Sequence, residues 1–415
     1  MKLGKYSMGI GDRFGLQGIF QLQAFEKALQ AGVEITPVWN KSNREHTIVH
    51  SAPADVRTEA VHAVKERKWR KDYFVDADHI NNSNVDKFLD SSDFFTLDVA
   101  DFIGKPAQEK DIAAFLYSFK KYQGSLRVPG IARPFEITEK ALLEIAGKYL
   151  FAVKEAAAIY RTIENKKGKG NFIAEVSMDE VNNPQTPIEL FFIMGALAME
   201  KVSFSTIAPK FTGRFNKGVD YVGDIKAFAK EFEEDILVID FAVKEFNLEP
   251  GPKLSVHSGS DKFSLYPEIA RIIRQHNKGI HLKTAGTTWL EEITGLAMAG
   301  GDALELAKGI YAKAYQRRED LCAPYASVID INPSRLPSPE AVNAWNADKF
   351  AHSLRHVPGH PDFNPDLRQL IHVGYKIAAE YGSVYLNAIK ANAELVGRQV
   401  FENLYDRHIR KIFLL

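Results

Sequence analysis

One pattern recurs along the chain and limits what it can fold into: a short apolar run, a polar residue at its end, then a stretch of helical periodicity. Eight such runs can be marked, at Tyr6–Ile10, Glu34–Trp39, Tyr73–Val75, Phe94–Val99, Phe172–Ser177, Val202–Ala208, Leu254–Val256 and Gly279–Leu282. Most lead into a helix with one apolar stripe, as at Gln17–Ala31 (Leu22, Phe25, Leu29) and Pro267–His276 (Ile269, Ile272, Ile273). Strands that alternate with helices pair in parallel, and eight of them close into a (β/α)8, TIM-like barrel of the α/β class. An open doubly wound sheet is the other arrangement that this rhythm permits. In both, reactive groups collect at the carboxyl ends of the strands.

The rhythm breaks twice within what reads as a single catalytic domain, 1–415. Residues 106–169 carry helical patterns at Ile112–Phe119 and Ala141–Arg161 around a loop, LRVPGIARPF, and read as a helical insertion after the fourth strand. Residues 330–415 read as a helical C-terminal extension, and the apolar stripe of Leu367–Leu415 would close the barrel or serve a homo-oligomer contact. Within it His352, His356 and His360 recur every four residues, but Pro358 and Pro361 break any continuous helix that would align them.

Composition narrows the function classes. Lys+Arg and Asp+Glu are equal at 53 each, so no global field draws the chain to nucleic acid or to an anionic membrane. Cys322 is the single cysteine, which excludes an intrachain disulfide and a thiolate zinc cluster and fits a reducing compartment. MKLGKYSMGIGDRFG meets charge and glycine before a secretory-type apolar core forms, and no later run of about 18 apolar residues suggests a membrane span. The expectation is a cytoplasmic protein with a small-molecule partner.

Gly9, Gly11 and Gly15 lie between a strand and a helix, as in a dinucleotide loop, but the spacing is GxGxxxG. The following strand ends in Asn40 and Lys41, where a ribose-binding acid would be required. A tight turn exposing Asp12 and Arg13 is the better reading. Elsewhere the strand ends are richer. VDADHI brings Asp78 and His79 together, FIAEVS places Glu175 inside an apolar run, and LSVHSGSDK ends its strand at His257 before Ser258, Ser260, Asp261 and Lys262. GIHLK sets His281 and Lys283 on one face by alternation. Three histidines from three strands, His79, His257 and His281, form a candidate ligand set for a divalent metal cation such as zinc, manganese, nickel or cobalt. The bland alternative is that each histidine merely holds a loop. Arg13, Lys210, Lys262 and Lys283 at one mouth point to an anionic substrate, carboxylate or phosphate.

The stretches VDADHI, FIAEVSMDE, LSVHSGSDKF and IHLKTAGT, in this order and at these separations, resemble the tagaturonate epimerase family of hexuronate catabolism over essentially the whole chain. The resemblance implies a metal-dependent isomerase that interconverts D-tagaturonate and D-fructuronate, with weaker 4-epimerisation of fructose and tagatose known among related members. The two ketohexuronates differ at the hydroxyl-bearing carbon β to the ketone, whose proton the carbonyl does not acidify. Retro-aldol cleavage and recombination avoids removing it. On this reading Asp78 and Glu175 share the proton work. Arg13, Lys210, Lys262 or Lys283 hold the carboxylate, and Ser258, Ser260 and Asp261 lie at the sugar-binding end. A class II aldolase, a ketose isomerase and a non-catalytic sugar-acid receptor remain as alternatives.

Overall fold

The computed structural model describes residues 1–249, 251–258, 261–284 and 287–414. Eight parallel strands close a barrel: β1 (Tyr6–Gly11), β2 (Ile35–Ser42), β3 (Phe74–Ile80), β4 (Phe94–Asp98), β5 (Ile173–Ser177), β6 (Thr206–Ala208), β7 (Lys253–His257) and β8 (Ile280–Lys283). β8 pairs back onto β1 with Tyr6 opposite Ile280 and Gly9 opposite Lys283. Ile207, Val256 and Leu282, on alternate strand positions, are buried within the main apolar cluster. The other face turns inward. Inside, Val38, Phe74, Phe94 and Ile173 make a separate apolar plug, and Ser7, Thr96, Glu175, Thr206, His281 and Lys283 are all buried as well. Branched aliphatic side chains usually fill such a barrel, so a charged interior marks chemistry above the plug.

The helices used below are α1 (Gly18–Gln30), α2 (Pro53–Arg67), α3 (Glu139–Lys167), α4 (Pro187–Met199), α5 (Ile225–Glu245), α6 (Tyr266–Gln275), α7 (Thr287–Ala299), α8 (Pro365–Val373) and α9 (Ala393–Glu402). Thr186 and Glu189 form a capping box at the start of α4, whose sides are almost wholly buried. Between β4 and α3 lie a helix, Glu109–Phe119, and a small hairpin, Gly124–Leu126 with Phe135–Ile137, that flanks the loop seen in the sequence. The tail is not one helix. It breaks into short pieces and ends in a π-helix, Asn403–Leu414.

That tail makes a second core with α7, built on Trp289, Ile293, Leu296, Leu370, Ile371 and Tyr385. α7 is consequently covered on every side from Thr287 to Ala297, and its two acids find partners there, although Glu291 Oε2 is left without one among the described residues. Glu292 accepts from Gln17 and Tyr385, and Glu291 accepts from Asn403. Among the described residues no helix is long and apolar enough to cross a membrane.

Two glycine-rich features differ from their superficial reading. Asp12 accepts from the backbone N–H groups of Phe14, Gly15, Leu16 and Gln17, so a carboxylate of the chain already fills the cradle that a dinucleotide phosphate would need. Gly9 is required for another reason. A Cβ there would lie 2.8 Å from Cγ of Lys283, whose stem crosses the barrel beside β1.

Candidate active site

A cavity of about 610 Å³ opens at the carboxyl ends of the strands. Its wall includes Asp78, His79, Asp98, Asp179, Lys210 and His257. Strict alternation would send Asp78 and His79 to opposite faces of β3. The pairing of β3 with β4 slips instead, from Ala77 opposite Phe95 to Ile80 opposite Leu97, which leaves one extra residue in β3. His79 takes up this bulge with φ of 52°, and both side chains reach the cavity.

The imidazoles of His79 and His257 lie with ring centroids 5.2 Å apart. Each has one nitrogen tied to a carboxylate: His79 Nδ1 is 2.9 Å from Asp78 Oδ1, and His257 Nε2 is 2.8 Å from Glu175 Oε1. Their remaining nitrogens, Nε2 of His79 and Nδ1 of His257, are buried and make no hydrogen bond among the described residues. Between them stands Asp179, its Oδ1 at 3.5 Å from the first and 3.1 Å from the second. Ser177 donates to the same oxygen at 2.6 Å. His79, Asp179 and His257 thus present three ligand atoms within 4.8 Å of one another. Burial opposes a charge on His257, but Asp179 and Glu175 outweigh it and lift the imidazole to about 9. For His79 burial is likewise outweighed, by Asp78 and Asp179. Positive charge is therefore favoured at this spot, and the donor set fits a divalent cation: two imidazoles, a carboxylate, and a carboxylate behind each ring.

Beneath the cradle Lys283 Nζ donates at 2.8 Å to both Asp76 and Asp78, bonds Thr96, and lies 3.1 Å from Glu175. Burial would strip its proton, but Asp76 and Asp78 hold its pKa well above the usual range. For Glu175 burial is overcome by Lys283 and His257, and the carboxylate stays ionised. Asp76 is the exception, since burial outweighs Lys283 and lifts it to about 6.

The residues expected from the sequence separate into two groups. Asp78, His79, His257, Arg13, Lys210 and Lys283 line the cavity. Five others are corrected. His281 is not a third ligand: it is wholly buried, its Nδ1 is 2.9 Å from the Ser7 hydroxyl, and its ring lies against Phe94, so burial takes it down to about 3. In register it pairs with Ser255, whereas Lys283 pairs with His257, so His281 sits one layer too deep. Glu175 is fully buried behind His257 with its oxygens taken by Thr206, His257 and Lys283, which leaves it no route to a substrate proton.

Ser258 donates to the Lys283 carbonyl, away from the cavity wall. Asp261 binds Arg368 at 2.6 Å and approaches His356 and His408 at 3.3 Å each, joining the barrel to the tail. Lys262 donates to the carbonyls of Asn216 and Val219. Ser260 lies outside the described residues. Lys283 lines the floor, but its ammonium is committed to Asp76, Asp78 and Thr96. Of the tail histidines, His352 stacks on His360 with centroids 4.4 Å apart while His356 turns to Asp261, because the helix ends at Leu354. The strand-end pattern singles out neither Asp179 nor His372 as a candidate site residue. A carboxylate two residues past a strand end was the signal for the first. The second had none.

Comparison with known proteins agrees with this architecture. A family model described as UxaE, tagaturonate epimerase, matches residues 1–411. A curated tagaturonate/fructuronate epimerase of Thermotoga maritima is 26% identical over 424 residues, covering 98% of this chain and 79% of that protein. Among solved structures, the fructuronate-tagaturonate epimerase UxaE of Cohnella laeviribosi matches in fold. Its complex with one glycerol gives a TM-score of 0.82 at 22% identity, over 99% of this chain and 82% of that one. Its native form gives 0.80. The chain belongs to the tagaturonate epimerase family and, with it, to the isomerases that act on carbohydrates.

Proposed function

We propose that this enzyme interconverts D-tagaturonate and D-fructuronate, with a divalent cation held by His79 Nε2, His257 Nδ1 and Asp179. The observation that carries the reading is the pair of buried imidazole nitrogens, without a hydrogen bond among the described residues, that converge on the Asp179 carboxylate, each ring fixed by an acid on its far side. A divalent cation held by these residues would supply Lewis acidity where negative charge develops on the substrate. Zinc, manganese, nickel and cobalt all suit two imidazoles and a carboxylate.

The chain's own groups do the rest. Glu175 and Asp78 set the tautomers and ring planes of His257 and His79. Asp78 has Oδ1 committed to His79 and Lys283, and Asp98 stands on the same wall at the end of β4; these two carry protons to and from the β-hydroxyl. When that hydroxyl loses its proton, the bond between α and β carbons breaks. Its electron pair passes to the α fragment as an enediolate, and the β carbon becomes an aldehyde. Rotation of the aldehyde and re-addition through its other face regenerate the bond with inverted configuration. Neutral ketohexoses are secondary substrates on the same route, and a cytoplasmic setting goes with the reading.

Proton NMR of D-fructuronate with metal-stripped and metal-restored enzyme in deuterated water tests this. The expected result is metal-dependent tagaturonate with no deuterium at the inverted carbon. Deuterium there would replace cleavage by direct proton exchange. Two released fragments would make the enzyme an aldolase, a moved carbonyl a ketose isomerase, and no conversion would end the reading. Glu175→Gln is expected to weaken metal binding about 10–100-fold, the usual cost of losing a carboxylate behind a ligating histidine. Intact metal binding with lost turnover would return Glu175 to proton transfer.

A further inference from the structure

His372 enters the cavity wall from α8, in the tail. It is 2% exposed, and neither ring nitrogen has a hydrogen-bond partner among the described residues. Arg13 lines the same cavity, is 6% exposed, and has Nη1 equally unpartnered. Its guanidinium is held still, with Nε donating to Glu45 at 3.1 Å and its carbon 4.3 Å from the Tyr375 ring centroid. Buried polar groups are almost always paired, because leaving one unpaired forfeits its hydration, so two of them lining one cavity point to an oxygen-bearing ligand.

Lys217 adds a charge on a pinned loop. The carbonyls of Asn216 and Val219 accept from Lys262 Nζ at 2.9 and 2.7 Å, and the Gly218 carbonyl accepts from Arg368 Nε at 2.6 Å. Lys217 N itself donates to Val328 at 2.8 Å. Gly218 has φ of 81° and packs against the Arg368 carbonyl and the His372 Cβ, so the loop sits directly on α8. We propose that His372, Arg13 and Lys217 form the subsite for the substrate's carboxylate and set the preference for ketohexuronates over neutral ketohexoses; this rests on the ketohexuronate reading above. Burial, with Arg13 and Lys217 next, holds His372 well below its ordinary pKa. The neutral ring offers one N–H to the carboxylate and one lone pair to a neighbouring hydroxyl. Asp261 and Lys262, expected at the substrate, act instead as positioning residues for this loop and helix.

The test measures inhibition and binding by D-gluconate, a sugar acid without a ketone, beside its neutral analogue D-glucitol, on metal-loaded enzyme. His372→Gln and Lys217→Met are expected to weaken gluconate by about tenfold or more, the scale of a hydrogen bond to a charged group. Glucitol should stay within about twofold, and KM for D-fructuronate should rise more than kcat falls. Lys217→Met decides the matter if His372→Gln fails to fold. Equal effects on gluconate and glucitol, no effect on either, or a wild type that does not distinguish them would overturn the subsite. A wild type that binds gluconate selectively and inverts no ketohexuronate would instead overturn the function proposed above and keep the subsite.

Discussion

Asp235, on α5, has both carboxylate oxygens buried with no hydrogen-bond partner among the described residues. Burial first, then Glu231 and Glu234, raise its pKa well above the usual range. The folded state therefore favours the protonated acid. Its contribution to stability is full below the ordinary carboxylate value of about 3.9 and is lost as pH rises through the folded value. Asp235→Asn keeps the shape and removes the titration. Urea midpoints of the variant and wild type should converge at pH 4 and separate in the variant's favour by pH 8. Parallel pH profiles would mean that the acid finds a partner in solution. At this scale the sequence was readable by strand position but not by depth. That His79 and His257 face the cavity was legible because each lies at or next to the carboxyl end of its strand. His281 was misplaced because alternation gives the face of a strand and not the layer of the barrel. Glu175 inside an apolar run is an acid too costly to bury unpaired, and its partners are His257, Thr206 and Lys283.

Among the elements, all eight strands were marked to within a few residues, since apolar runs ending in polar residues are strong local signals. What escaped notice depends on contacts between distant segments. The bulge at Asp78–His79 is set by the neighbouring strand, the hairpin around Gly124–Leu126 is too short to show a period, and the tail is divided by contacts with α7. Gly9 belongs with these. Its neighbours suggested a phosphate loop, yet the reason for glycine lies on β8, where Lys283 Cγ stands 2.8 Å from the position of a Cβ. Gly9→Ala should push the Lys283 stem aside and destabilise the fold by about 1–3 kcal/mol, the range for overpacking. Since Lys283 braces Asp76, Asp78 and Glu175, the cation proposed above should be bound more weakly by the same variant. Denaturation and metal titration together check this. Unchanged stability and metal affinity would show that Lys283 has room to move.

Besides the small plug inside the barrel, the described residues form two large cores that share one wall, because α7 belongs to the barrel by sequence order and to the tail by packing. Asp261 joins them a second time. It lies just past β7 and holds Arg368 of α8 together with His356 and His408. For Asp261 burial is outweighed by Arg368 and the histidines, so the carboxylate stays ionised and the pair remains charged. Removing one partner of a buried pair costs about 3–5 kcal/mol. The two cores carry separate reporters: Trp39 and Trp69 in the barrel, and Trp289 and Trp345 in or against the tail core. In urea, a Trp39→Phe/Trp69→Phe protein and a Trp289→Phe/Trp345→Phe protein should give the same midpoint after correction for the stability of each background, because the shared wall makes unfolding one event. Adding Asp261→Asn to both should part the two transitions, with the tail core losing its emission first. The tail also carries His372 to the cavity, so turnover should then fall along the tail transition and not along the barrel one. Separate midpoints without Asp261→Asn would mean that the tail folds as its own unit against a finished barrel, and that the His372 side of the cavity is assembled only by docking.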